Sequence, residues 1–529
     1  MSPVLTQAVP VGSLEGRVVK TRPPSASAKN RQNLVRDGWK MEGFASAALK
    51  ISTAASRLRE EAETESKYWE QISRLKAAGW AVSRLPRDNR LMCVHFGFTE
   101  AAPGFRNRGY AVLRQGEAGN LFLDRGGVSA KRSVLQVTVH QNGHSISQSS
   151  VPELELKRDA GIEDQIIQAR NLLFEEELFF EIGREARGLA SQGVTMVANS
   201  VKLDIGSDVL VLIRLISLET QAYESEIVHS GVSSYNLAEA VAIALRILLV
   251  YAHRQNYERR CKGPLPMTLN TKHGPEYALL RPVMCHLQHS SHVRSLETIL
   301  VSIMRPLSNA GLEVKCQIHK LSQLDFSRMT LDPALSSDSL ANALLEPLVT
   351  KFTIMIPTRR SLELIVRTHL AAPTFGTEFE INSLKYGGHI LKPPHLETES
   401  AVSEFLCNTI MVDIVVFIAD MDIQSQNSIS EEKGHESKGW NISDFYGCQL
   451  SLVNQPSMIK HIQIKFGQNR LGLRFMSRES NRGQQVQLRT FSWLSDKFWE
   501  GVAGKTSEGA PRKLADVIRE LSSFKKSKD

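Results

Sequence analysis

The sequence predicts an α+β protein. It has a long N-terminal coiled-coil-like helix, a small antiparallel sheet, central helices and a mixed α/β C-terminal domain. Three observations predict this. Apolar residues recur at heptad spacing between residues 41 and 78. The period then drops to two over residues 90–141. Beyond residue 159, helical and strand-like segments succeed one another without a repeat. A chain of 529 residues is also too long for one ordinary core.

Residues 1–38 are rich in Pro, Ser, Ala and basic side chains ("KTRPPSASAKNRQ") and are expected to be a disordered basic N-terminus. Residues 39–80 follow as a heptad helix. Phe44, Ala48, Ile51, Ala55, Leu58, Ala62, Glu65, Trp69 and Ile72 are spaced alternately by four and three. Gly79 ends the pattern. The stretch 41–78 would be on the order of 55 Å long. One apolar seam cannot cover itself, and no matching heptad helix precedes it. The seam is therefore expected to join a multi-subunit helical bundle, with Phe44, Ile51, Leu58, Trp69 and Ile72 as partner-binding residues. Trp80 follows the terminating glycine and is expected to pack on the adjacent sheet.

"LMCVHFGF", "GYAVLR", "NLFLD" and "VLQVTVH" alternate in polarity between turn residues, which predicts one small antiparallel sheet over 90–141. Residues 142–158 read as a polar linker. The region 159–262 reads as helix, hairpin, helix. Ile162, Ile166, Ala169, Leu172, Phe179, Ile182, Ala186 and Leu189 make an amphipathic helix that Gly193 would cap. Two strands joined at Gly206-Ser207-Asp208 follow, then a buried helix over 236–260. The C-terminal α+β domain is expected over 276–529. It has a helix at 288–306 and strands at 312–321, 350–357 and 361–370. An apolar helix at 400–420 and a polar loop ("SQNSISEEKGHESKG") come next, then strands near 460–467, 470–476 and 485–491. A helix at 511–523 precedes the basic tail "KKSKD".

The net charge is +8, but residues 1–60 carry ten Lys/Arg against four Asp/Glu, or +6, which leaves about +2 for the rest. That distribution argues against a folded basic face and against specific nucleic-acid recognition. Six cysteines without a CxxC pair make no disulfide framework and fit a reducing compartment. No signal peptide is expected from the first residues, and no apolar run is long enough to predict a membrane span.

The strongest metal-like cluster is "MCHLQHSSH", with Cys285, His286, His289 and His292. No second ligand pair completes it, so neither a metal nor a cofactor is predicted. Glu175, Glu176 and Glu177 diverge by about 100° per residue on a helix and cannot converge on one substrate; a solvated helix face is expected. No phosphate-binding glycine loop or nucleophile elbow is present. No catalytic residue is assigned. An enzyme of unrecognised chemistry and a direct nucleic-acid-binding protein are the alternatives.

One resemblance sharpens this reading. "ESKYWEQISRLKAAGWAVSRLPRDNRLMCVHFGFTEAAPGFRNRGYAVL", "IEDQIIQARNLLFEEELFFEIGREARGLASQGV" and "LLRPVMCHLQHSSHVRSL" resemble segments of the Mediator subunit 17 family in its filamentous-fungal form. The resemblance covers about residues 39–310. It implies a nuclear, non-catalytic scaffold of the Mediator head module between regulatory factors and the RNA polymerase II machinery. Its partners would be other Mediator head subunits, met through a helical bundle and the C-terminal domain. It implies no catalysis and no cofactor. Members of that family usually carry a longer N-terminal region than the one preceding these heptads.

Overall fold

In the computed structural model, the described residues are 3–8, 22–85, 88–116, 119–125, 132–151, 161–206, 209–217, 235–262, 277–321, 337–370, 375–386, 389–427, 440–455, 458–479, 487–494, 497–502, 505–509 and 512–523. The expected Ser207-Asp208 turn, most of the polar loop near 430 and the basic tail lie outside them. The chain forms two compact units. One comprises residues 1–96, 110–127 and 160–166, and the other comprises 97–109, 128–159 and 167–529.

The first unit begins with a short helix α1 (Pro3–Ala8) and a 52-residue helix α2 (Ala26–Ala77). α2 starts well before residue 39, so the expected disorder does not hold for 26–38. Pro23 and Pro24 colour the composition there, but Ser25 directly after them caps the helix, its Oγ accepting from the Ala28 N–H at 3.3 Å. No proline follows within α2. At its other end Gly79 has φ +92°. Its N–H donates to the Lys76 carbonyl and that of Trp80 to the Leu75 carbonyl, both at 3.1 Å, which closes the helix in a Schellman motif.

The strands β1 (Ala81–Leu85), β2 (Asp88–His95), β3 (Tyr110–Gln115) and β4 (Leu121–Asp124) form an antiparallel meander in that order. A one-turn helix α3 (Pro103–Arg106) lies between β2 and β3 in sequence and counts with the second unit. The last turns of α2 lie on the sheet. Ile72 and Leu75 are buried, the Tyr68 hydroxyl donates to the Leu113 carbonyl at 3.2 Å, and the Leu121 N–H donates to Gln71 Oε1 at 3.0 Å. Gly119 (φ +82°) passes so close to the helix that a Cβ would stand 2.8 Å from the Thr64 carbonyl oxygen. Trp80 is half-buried and donates from Nε1 to Glu163 at 3.4 Å.

In the second unit a five-stranded sheet is built from β5 (Ser133–Gln141), β6 (His144–Gln148), β7 (Val194–Val197), β8 (Ser200–Gly206) and β9 (Val209–Ser217), in the order β6-β5-β9-β8-β7. The segment 133–141 therefore does not join the small N-terminal sheet. It pairs with β9 along its whole length, Ser133 opposite Ser217 through Gln141 opposite Val209, and Val134 to Val137 are all buried. A strand covered on both faces belongs to the middle of a layered sheet. Part of the expected linker is β6.

The helices α4 (Ile162–Gly188), α5 (Tyr235–Cys261) and α6 (Leu280–Asn309) accompany this sheet. Leu178, Ile182, Ala240, Val241, Ala244 and Leu248 fill one apolar core with Val137, Leu203 and Val211.

α6 contributes to two cores. Val283, Met284 and Leu287 belong to the first, whereas Leu296, Leu300, Ile303 and Leu307 belong to a second, larger one. The expected boundary at 262–276 is thus not a break between compact units, because one rigid helix serves both sides. The second core is closed by several further elements. β10 (Lys315–Lys320) is followed by α7 (Ser337–Leu345), whose Leu344 packs in the first core instead. β11 (Leu348–Met355), β12 (Ser361–His369) and β13 (Gly376–Ile381) complete a four-stranded meander with β10. A small hairpin of β14 (Leu384–Tyr386) and β15 (His389–Leu391) precedes the apolar helix α8 (Glu399–Asn427).

A seven-stranded antiparallel meander ends the fold. It runs through β16 (Asn441–Asp444), β17 (Gln449–Gln455), β18 (Met458–Gly467), β19 (Arg470–Glu479), β20 (Gln487–Leu494), β21 (Phe498–Val502) and β22 (Lys505–Gly509), before α9 (Leu514–Ser523). Lys460, buried in β18, donates from Nζ to the carbonyls of Leu521 at 3.1 Å and Ser522 at 2.9 Å. It thereby caps the negative end of α9. The Glu399–Met421 stretch of α8 is apolar and long enough to cross a bilayer, yet most of it is buried in this core. Asp413 at its middle accepts from the Thr358 N–H at 3.0 Å, the Tyr386 hydroxyl at 2.8 Å and the Thr358 hydroxyl.

The two ends of α2 should respond differently to truncation. In the isolated chain Ile72→Ala should destabilise the helix–sheet unit by about 2–4 kcal/mol. Ile51→Ala should cost no more than about 0.5 kcal/mol. Hydrogen exchange of the amides in 110–124 should accelerate in the first variant alone.

Candidate partner-binding helix and the polar core

Four of the five predicted seam residues stand in solvent on α2. Phe44, Ile51, Leu58 and Trp69 are exposed, Ile51 by 70% and Leu58 by 64% of their surface. Ile72 is only 6% exposed and packs on the chain's own sheet, so its assignment to a partner is corrected. The heptad continues past the sheet edge, and a continuous pattern does not mark where internal burial stops.

The exposed seam is also longer than expected. Leu34 and Met41 extend the Ala48, Ala55, Ala62, Trp69 row at seven-residue steps, and both are exposed. Extending the heptad count N-terminally through Gly38 would have found them. Gly38 and Gly43 are helical with open space around them, so another backbone can approach closely there. Surface ion pairing on this helix is slight. Arg74 and Glu70 meet at 2.6 Å one turn apart, worth a few tenths of a kcal/mol.

The metal-like cluster of α6 is dispersed into separate hydrogen bonds. His286 Nε2 lies 3.2 Å from the Leu344 carbonyl. His289 bridges two strands, Nδ1 to the Thr368 hydroxyl at 2.9 Å and Nε2 to the Thr350 hydroxyl at 2.8 Å. His292 Nδ1 meets Glu399 at 2.6 Å, and the Cys285 thiol donates to the His369 carbonyl at 3.4 Å. Burial pushes the Cys285 thiol up to about 12 and both His286 and His289 down to about 4. These side chains join α6 to α7, to the β11–β12 pair and to α8.

The glutamates of α4 correct the expectation of a solvated face. They do diverge: Glu175 accepts from Arg246 Nε at 2.7 Å and from the Leu135 N–H at 3.1 Å, Glu176 pairs with Arg108 at 2.6 Å, and Glu177 meets His253 at 2.9 Å. Glu175 and Glu177 are nevertheless buried, as are Glu181 and Glu185 on the same helix. No local sequence pattern singles out Glu185. Its carboxylate accepts from the N–H groups of Leu279 and Leu280, each at 2.7 Å, and of Arg281 at 3.1 Å, with Arg281 Nε at 3.2 Å. Burial pushes its pKa up, while these donors oppose that shift.

The second unit thus buries polar groups whose partners come from distant segments, and in the first unit α2 carries an apolar seam that is left open. The family model described as "Subunit 17 of Mediator complex" matches residues 1–307. The chain belongs to the Mediator subunit 17 family. The match ends within α6, so it takes in α2, both N-terminal sheets and the shared helix of the two cores. Relatives carry the similarity through the C-terminal half. Mediator of RNA polymerase II transcription subunit 17 of Aspergillus oryzae is 35% identical over 480 residues, covering 90% of this chain and 74% of its own length. The Emericella nidulans subunit is 34% identical over 529 residues, with 99% and 81% covered. The Yarrowia lipolytica subunit is 31% identical over 323 residues, with 59% and 60% covered. A chain in the structure of the Schizosaccharomyces pombe Mediator head module superposes with a TM-score of 0.52 at 17% identity, covering 77% of this chain and 88% of that one. At that identity the likeness is one of fold, and it gives this Mediator subunit 17 family member the mixed helix-and-sheet architecture expected of it.

The buried histidines have a measurable consequence. Folded, His286 and His289 stay neutral down to about pH 4; unfolded, they protonate near 6.5. The unfolded chain therefore binds more protons between those values, and stability falls as pH drops through that window, by about 3 kcal/mol apiece at pH 4. Glu185 and Asp413, whose pKa values are raised, act in the opposite direction. The clean readout is comparative. His289→Gln, which keeps partners for both threonines, should lose less urea resistance between pH 6.5 and 5 than the parent chain.

Proposed function

We propose that this chain assembles with other Mediator head subunits through the exposed seam of α2, and that the sheet-rich second unit anchors further ones. Its role is that of its family, a non-catalytic scaffold in transcription. The reading extends to the nucleus as its site of action, and to bridging regulatory factors to RNA polymerase II. The observation that carries it is the open seam itself. Leu34, Met41, Phe44, Ile51, Leu58 and Trp69 stand exposed along one helix of 52 residues. Contiguous apolar surface of that extent marks an interaction site. The helix is about 78 Å long, and only its C-terminal turns rest on the chain's own sheet. The alanines at 48, 55 and 62 let neighbouring helices approach closely, the geometry of a packed bundle.

Expressed by itself, the chain should self-associate through this seam, and co-expression with small helical head subunits should disperse it. Size-exclusion chromatography with light scattering decides this; a monodisperse monomer would count against the reading. In cells, Ile51→Asp with Leu58→Asp replaces two anchors by charges that the bundle would have to bury unpaired. Each anchor contributes roughly 1.5–3 kcal/mol of burial, and each unpaired charge adds several kcal/mol of penalty. The double variant should lose its small helical partners on affinity purification and retain those held by the second unit. Glu60→Lys with Glu63→Lys, away from the seam, should assemble normally. Recovery of every partner at parental levels from the aspartate variant would show that α2 does not carry assembly.

A further inference from the structure

We propose that the outer face of the seven-stranded sheet binds a phosphorylated serine or threonine of a peptide, in the depression floored by Gly472. The site rests on the C-terminal sheet and is independent of α2.

Strand register builds it. Lys465, Gly472 and Ser492 lie side by side across β18, β19 and β20, and Gln463, Arg474 and Thr490 form the next row. Alternate residues of a strand share a face. Leu471, Leu473 and Phe475 point into the core, so Arg470, Gly472 and Arg474 face outward. Arg470 and Arg474 thus stand about 7 Å to either side of Gly472 along the strand, with Lys465 beside it. A Cβ at Gly472 would find only the Lys465 carbonyl oxygen, at 3.6 Å, so the missing side chain opens the face. The resulting depression, of about 610 Å³, is lined by Lys465, Arg470, Arg474, Thr490 and Ser492 among others.

Its charge is unbalanced. Among the described residues no carboxylate comes within ion-pair distance of Lys465, Arg470 or Arg474, whereas Arg489 and Arg512 on the opposite face both pair with Glu520. Arg470 is preset: its Nε and Nη2 donate to the Ser492 hydroxyl at 3.3 and 2.9 Å, which holds the guanidinium at the rim with further N–H donors to offer. A phosphomonoester carries about −1.5 to −2 charges and three acceptor oxygens at pH 7. Three cations lining one depression suit such a group better than they suit a singly charged carboxylate.

The surroundings favour a peptide over a nucleic acid. No aromatic ring lines the depression itself, since Phe491 is buried and Phe466 half-buried; the half-buried Trp499 stands beyond Ser492 on β21, outside the lining. One row further along the strands, Met476 and the exposed Leu488 lie opposite each other as an apolar pair, with His461 on the other side of Met476. That pair is about 7 Å from the Arg474 row, the spacing of alternate side chains in an extended chain. The bound segment is therefore an extended phosphopeptide with an apolar residue two positions from the phosphorylated one.

Fluorescence anisotropy on the full-length chain tests this. The probe is a labelled glycine- and alanine-based peptide with phosphoserine and a leucine two residues away. It should bind at least ten-fold more tightly than its unphosphorylated twin, and replacing the leucine by glycine should weaken it several-fold. Gly472→Val, which fills the depression with a residue suited to strands, should abolish the difference, as should Lys465→Glu with Arg474→Glu. Glu60→Lys with Glu63→Lys should leave it intact. Unchanged thermal melts would show that the sheet variants remain folded. Inorganic phosphate should compete only at millimolar concentration. Equal binding of the two twins would overturn the proposal. So would a single-stranded oligonucleotide that outcompetes the phosphopeptide in the parent and loses its own binding in Gly472→Val.

Discussion

Glu185 closes the N-terminus of α6, and the rest of the second unit is arranged around that contact. α6 begins at Leu280 without a side-chain cap of its own, and Pro282 in its first turn has no N–H to satisfy. The three preceding N–H groups converge on a carboxylate that lies more than ninety positions earlier in the chain. An anion at this end also meets the positive pole of the helix. Deep burial makes the arrangement demanding, because an orphaned N–H or an unpaired carboxylate there would each cost on the order of 1–3 kcal/mol or more. The contact fixes the start of α6 against α4, and α6 then carries that position into both apolar cores.

The same logic recurs at other helix ends and helix middles. Lys460 neutralises the carbonyl end of α9, Asp413 ties the middle of α8 to Thr358 and Tyr386, and His289 spans two threonines on adjacent strands. Each is a buried polar group whose partners come from distant segments. Satisfied in this way, such groups specify which elements meet. An alternative packing would strand several of them at once.

α2 obeys the opposite rule. Its C-terminal turns are held by Ile72, Leu75, Tyr68 and Gln71, whereas its apolar residues from Leu34 to Leu58 have no covering surface among the described residues of the first unit. A helix that leaves so much apolar surface in water is incomplete as a monomeric element. The division falls near Thr64, where Gly119 brings the sheet edge against the helix.

Much of this could be read from the residues alone. The heptads, the Gly79 stop, the alternating strands and the apolar runs of the long helices are local patterns, and period and capping are properties of a few neighbouring residues. The segments at 65–113, 162–194 and 279–296 also carry the family resemblance by themselves. What only the tertiary structure decided was where each pattern is used. Ile72 continues the same heptad as Leu58, yet one is buried by a sheet that folds back on it and the other is open. The strand at 133–141 alternates like its predecessors but pairs with β9, about seventy residues on, because strand pairing is chosen by packing on both faces. Glu175, Glu177 and Glu185 look like surface charges because the residues that satisfy them are Arg246, His253 and the backbone of 279–281. The burial of a charge depends on partners that sequence proximity does not reveal.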